Sequence, residues 1–365
     1  MATIKGTAKK NTLKGTSSAD KISGLGGDDI LRGGNGADVL RGGDGKDQLF
    51  GDAGADQLFG DAGDDTLDGG TGADKLNGGS GIDTISYAGT AGAVSIFLNN
   101  SQSASGAASG DTFISVENAI GTALGDIISG TGGVNRLTGG SGDDVLFGLQ
   151  GLDTLLGGDG DDFLLPGADQ AADIVNGGDG NDTVSYQDAT QGVGISLQDS
   201  LTDLGADNDV LISIENVVGS SLNDTIQVFR GGAALGLDGV DIVEGSRSTG
   251  LDNQTTEFLS GGDGNDFFLL HLGTGADVLS DFNAAEVDKI LIRAAEFAAI
   301  PTVLNVNGQV VANSGGPQFI YDRLSDVLYY DAEGTAGFVG PVAVAYLNDL
   351  GPAFSFTIVD HFAII

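Results

Sequence analysis

The sequence has no cysteine and no tryptophan, and only 2 histidines and 5 prolines in 365 residues. Without cysteine there can be no disulfide, no thiolate metal site and no cysteine nucleophile. The two histidines, His271 and His361, lie outside any H-E-x-x-H pair, and no G-x-S-x-G elbow occurs, so the common hydrolase signatures are missing. Basic residues are scarce, with 15 Lys and Arg against 52 Asp and Glu, a net charge of -37. A chain this acidic cannot neutralise phosphates, which excludes nucleic acid as a partner. No apolar run approaches a membrane span, so no transmembrane segment is expected. The opening stretch MATIKGTAKKNTLKG has lysines but no apolar core, so no Sec-type signal is expected there.

Glycine and aspartate are abundant instead. Glycine numbers 64, yet 40% of residues are hydrophobic, enough for a core. Both fall on a period of nine. Units begin at Gly6, Gly15, Gly24, Gly33, Gly42, Gly51, Gly60, Gly69 and Gly78. Their eighth positions read Leu13, Ile22, Leu31, Leu40, Leu49, Leu58, Leu67, Leu76 and Ile85. Their sixth positions read Asn11, Asp20, Asp29, Asp38, Asp47, Asp56, Asp65, Asp74 and Asp83. Columns this regular exclude a disordered linker. Six Gly-rich residues make a tight turn, and three more make a short strand whose middle side chain points inward. One unit cannot bury its leucine alone, but stacked units can. Stacking also piles the aspartates into a like-charge ladder, which needs cations between its rungs. Carboxylates with carbonyls suit a hard ion such as calcium.

The period returns with Asp126, Asn135, Asp144, Asp153 and Asp162, and again at Asp182 after the irregular stretch 166–176. A third, degenerate array carries Asp241, Asp266 and Asp277 around the irregular stretch 245–260. Between arrays, DTISYAGTAGAVSIFL matches DTVSYQDATQGVGISL, and ISVENAIGTALGDII matches ISIENVVGSSLNDTI, so a roll-plus-joint module is duplicated. Tyr87 and Tyr186 are expected to cap the last coil of their rolls. Glu117 and Glu215 could close the next roll's first turn or bind an extra calcium.

Units such as GGNGADVLR, GGDGKDQLF, GGSGDDVLF and GGDGNDFFL resemble the RTX, or haemolysin-type, calcium-binding nonapeptide G-G-x-G-x-D-x-U-x. The resemblance implies an all-β fold of tandem right-handed parallel β-rolls, with two units per coil and a C-terminal β cap. Units n and n+2 would then stack, placing Asp29 beside Asp47. It further implies several Ca2+ ions held by the sixth-position aspartates and by carbonyls of turn glycines. On this reading the glycines are Gly27, Gly34, Gly36, Gly43, Gly45, Gly54, Gly63, Gly70, Gly72, Gly140, Gly142, Gly158 and Gly160. The expected organisation is a first roll with N-terminal cap at 1–86, a joint at 87–120, a second roll at 121–185 and a joint at 186–232. A degenerate roll at 233–292 and a C-terminal cap at 293–365 would follow.

The ending VDHFAII, an acidic residue before an apolar tail, is similar to the signal of RTX proteins exported by type I secretion, which implies a secreted, extracellular or cell-surface protein. Lys9 and Lys10 occupy turn positions where glycine is expected; they would either replace calcium in a cap or contact an acidic cell-surface polysaccharide. Phe50 and Phe59 fall on outward strand positions and would support self-association or pack locally. No catalytic constellation emerges. The expected function is a calcium-folded extracellular structural component, such as a surface layer, matrix or adhesive scaffold. The alternative is a soluble secreted effector acting on a host surface or membrane.

Overall fold

The computed structural model describes residues 1–100, 105–197, 203–204, 208–229, 231–245, 256–270, 277–281 and 288–292, with the strands 318–322, 327–331, 342–347 and 362–364. Among these, helix is confined to a 3-10 turn at Leu98–Asn100 and 3-10 geometry at Asn208; the rest is strands, turns and irregular connections. The chain is all-β, with parallel sheets wound as a β-solenoid. His271, His361 and most of the C-terminal tail lie outside the described residues. Two units are distinguished, residues 1–182 with 207–213, and residues 183–206 with 214–365.

In the first unit every second nonapeptide stacks in parallel. Ile4, Ile22, Leu40, Leu58, Leu76 and Phe113 form one column. Leu31, Leu49, Leu67, Ile85, Ala119, Leu137, Leu155, Val175 and Leu211 continue another from Leu13. From Ile22 onward these side chains are buried. The cause is the strand's period of two: the eighth residue faces in, and the seventh and ninth face out. Phe113 and Ala119 come from the first inter-array segment and Leu211 from the second. Those segments therefore supply strands to the same stack.

In the second unit, Val184, Val217, Ala234, Leu259 and Leu279 form one column. Ile195, Ile226, Val243, Phe268 and Ile290 form the other. The strand Gln318–Asp322 pairs antiparallel with Val327–Asp331, which pairs antiparallel with Val342–Leu347. The RLSD stretch between the first two of these strands lies outside the described residues. The strand Phe362–Ile364 runs parallel to Lys289–Ile292.

Candidate metal centre

The Gly-rich turns stack along with the strands, and each puts its sixth residue indoors. Asp29, Asp38, Asp47, Asp56, Asp65, Asp74 and Asp83 are as inaccessible as the leucines two residues on. Each backbone amide of this column donates to Oδ1 of the aspartate one coil later. The distances are 2.7 Å from Asp29 to Asp47, 2.8 Å from Asp47 to Asp65 and 2.8 Å from Asp65 to Asp83. On the other edge they are 2.6 Å from Asp20 to Asp38, then 2.7 Å at both Asp38–Asp56 and Asp56–Asp74. The second array repeats this through Asp126, Asp144, Asp162 and Asp182, and the third through Asp224, Asp241, Asp266 and Asp288. Asp29 does stack on Asp47.

One oxygen of each rung is thus used. The other, Oδ2, is buried without a hydrogen-bond partner at Asp29, Asp38, Asp47, Asp56, Asp65, Asp74, Asp83, Asp144, Asp153, Asp162 and Asp241. A cradle of oxygens surrounds it. A Cβ added at Gly33 would lie 2.5 Å from Oδ2 of Asp38 and 2.6 Å from the carbonyl oxygen of Gly51, one coil on. The glycines expected to offer carbonyls all have positive φ, from +85° at Gly70 to +156° at Gly54. That conformation turns their peptides and lets successive coils approach closely. A Cβ at Gly63 would run into the carbonyl of Gly45.

An unsatisfied buried polar group costs about 1–3 kcal/mol, and more when charged. A handful of such rungs equals the roughly 5–15 kcal/mol by which a domain is stable. Burial accordingly pushes the carboxyls up, to about 6 at Asp56 and about 7 at Asp65, with neighbouring rungs adding to it. Asp74, Asp144, Asp153 and Asp241 also rise to about 7, through burial first. Such oxygens demand a proton or a cation. The donor set is carboxylate and carbonyl oxygen throughout, which fits calcium. Among the described residues no three His, Cys, Asp or Glu side chains converge on one point. A bound ion would therefore draw most of its ligands from the backbone.

Not every rung has this form. Asp20 accepts both the amide and the hydroxyl of Thr16 on Oδ2, each at 2.7 Å, and its Oδ1 accepts the amide of Ala2. The Ala2 amide, then the Thr16 hydroxyl, hold Asp20 below the ordinary carboxylate range. Asp126 is similarly engaged by Thr122. Asp277 lies against Glu257, and burial pushes its carboxyl well up.

The ladder also contains residues that the sequence reading missed. Asp111 follows Asp74, and Asp173 then Asp209 follow Asp153. Asp224 and Asp288 belong to the third array. All are buried. Each opens an Asp-x-apolar triplet, such as DTF, DIV, DVL, DTI or DKI, without the Gly-rich head. That half-motif was the available signal.

Glu117 takes the rung after Asp83 and accepts its amide at 2.9 Å. Tyr87 is buried and donates its hydroxyl to Oδ2 of Asp111 at 2.6 Å. Phe50 and Phe59 are half-buried and stand on opposite sheets. Arg32 stacks 4.0 Å above Phe50 and pairs with Asp52 at 3.0 Å; Arg41 stacks 4.4 Å above Phe59 and pairs with Asp61 at 2.8 Å. Neither phenylalanine is an open patch. Among the described residues no ion pair involves Lys9 or Lys10.

No curated protein matches the chain. The family described as the RTX calcium-binding nonapeptide repeat (4 copies) matches residues 5–40, 23–58, 50–85, 120–155, 129–164 and 142–170. No catalytic domain family is found. The matched residues include most of the stacked turns whose carboxylates lack a partner, so residues 5–85 and 120–170 carry repeats of the RTX calcium-binding nonapeptide family.

Proposed function

We propose that this protein is secreted, folds when it meets extracellular calcium, and serves as a structural component outside the cell. The observation that carries the reading is the column of buried Oδ2 atoms without partners, from Asp29 to Asp83 and at Asp144, Asp153, Asp162 and Asp241. These residues and the positive-φ turn glycines would hold the calcium, which when bound neutralises the ladder. The chain's own contribution is to bury the carboxylates, fix one oxygen of each on an amide, and leave the other for the ion.

Extracellular modules bind calcium at about 10⁻⁴–10⁻³ M. At cytosolic calcium the ladder would be empty and self-repelling, so the chain could pass unfolded through a type I secretion apparatus. Outside, binding would supply folding free energy. A repeated, in-register lateral face supports a scaffold role. Gln48, Thr66 and Thr84 line one outward column, and Gln57, Lys75 and Thr112 another. Such faces recur at every coil and can be shared between copies.

The test is light scattering with negative-stain imaging during a calcium titration, with magnesium as control. Sheets or filaments that form only with calcium support the scaffold. A compact monomer at saturating calcium overturns it and leaves a soluble effector, or a binder of acidic cell-surface polysaccharide.

A further inference from the structure

The turns fall into two classes, divided by the residue at their second position. In turns with an unpartnered Oδ2, the second residue has positive φ, whatever its type. Examples are Gly43 at +117°, Asp61 at +75° and Leu149 at +81°. The second class is headed by Thr7, Thr16, Thr122, Thr131 and Ser220, none of which has positive φ. Their sequences are GTAKKN, GTSSAD, GTALGD, GTGGVN and GSSLND.

In the second class the turn closes on itself. The amide of the second residue donates to the sixth side chain of its own unit, at 2.6 Å for Thr7–Asn11, 2.7 Å for Thr16–Asp20, 2.5 Å for Thr122–Asp126, 2.6 Å for Thr131–Asn135 and 2.6 Å for Ser220–Asp224. The hydroxyl also contacts that side chain and accepts the amide of the fourth residue. The latter distance is 3.2 Å from Ser18 to Thr16, and 3.1 Å from both Leu124 to Thr122 and Leu222 to Ser220. Glycine at the fourth position is therefore dispensable: Lys9, Ser18, Leu124 and Leu222 stand there. No oxygen of Asp20, Asp126 or Asp224 is left without a partner. In two of these turns the sixth residue is asparagine, whose amide brings no charge to a cation.

We propose that the Thr- and Ser-headed turns bind no calcium, and that the second-position residue decides whether a nonapeptide takes the ion or caps itself. This rests on the calcium reading above. The placement gives the device a purpose. These turns stand directly ahead of each run of unpartnered carboxylates, at 6–20, 121–135 and 219–224. Each metal-dependent run thus stacks on a turn whose hydrogen bonds are complete without metal, which supplies a template for the next coil.

The experiment is native mass spectrometry of the full chain at saturating calcium, counting bound ions, with magnesium as control. Asp20→Asn and Asp126→Asn are compared with Asp144→Asn and Asp65→Asn. The first pair should fold, because Asn11 and Asn135 already fill the same frame. It should keep the wild-type ion count, while the second pair should lose ions. The charge-state distribution reports folding, and either member of the second pair suffices if the other does not fold. Loss of ions from Asp20→Asn or Asp126→Asn equal to that from Asp144→Asn overturns the proposal and leaves the calcium reading standing. Equal counts in all variants overturn it too. A wild-type chain that takes up no calcium overturns both readings.

Discussion

The amide of Asp47 donates to Oδ1 of Asp65 at 2.8 Å, while Oδ2 of Asp65 is buried with no partner. In rungs of this kind half of the carboxylate builds the coil stack and half waits for a ligand. The behaviour of the protein follows from that division.

Removing calcium should unfold the rolls. Chelation at neutral pH is expected to abolish the β signal in circular dichroism, and calcium but not magnesium should restore it. A chain that keeps its full signal in chelator would show that the unpartnered oxygens are tolerated.

Acid should partly replace the metal. The folded-state carboxyls of Asp56 and Asp65 titrate at about 6 and about 7, against 3.8 for an unperturbed aspartate. The folded, metal-free chain then binds more protons than the unfolded chain across this window. Its stability is fully present below 3.8 and lost as pH rises through about 6–7. Calcium-free denaturation midpoints should therefore be higher at pH 5 than at pH 8. Calcium affinity should change in the opposite sense, because binding displaces protons.

Gly63→Ala should be severely disruptive, since its Cβ meets the Gly45 carbonyl and φ is +131°. Gly89→Ala, with nothing within 4 Å of its Cβ, should be near neutral. Denaturant midpoints at saturating calcium compare them, and similar losses would contradict the close coil approach.

Leu25 holds φ +83° and is 48% exposed, so about half of its surface is already open to solvent. A left-handed non-glycine residue costs about 1–2 kcal/mol, against ~0.5–1 kcal/mol for glycine's freedom in the unfolded chain. Leu25→Gly should gain up to about 1 kcal/mol in calcium-saturated melts by these terms. A clear loss would mean that the Leu25 side chain packs.

Leu67→Ala removes a fully buried rung of the apolar column and should cost about 2–5 kcal/mol in the same melts. A loss below about 1 kcal/mol would mean that the coils collapse around the cavity.

The period of nine by itself determined the inward apolar column and the ladder of stacked aspartates, while the resemblance to the RTX nonapeptide implied two units per coil and the stacking of Asp29 on Asp47. The column and the ladder follow from strand alternation and the need to bury Leu31 and its successors, both local and repetitive. The tertiary structure decided what the period does not encode. Asp111, Asp173 and Asp209 join the ladder because their strands stack on the preceding coil, and the preceding rung's amide donates to whichever carboxylate lies beside it. Phe50 and Phe59, outward by pattern, are covered by Arg32 and Arg41 one coil earlier, a contact set by stacking register. The difference between Asp20 and Asp38 is written at Thr16 and Gly34. It gains meaning only in three dimensions, where the sign of φ at that residue determines whether an amide or an empty cradle faces the carboxylate.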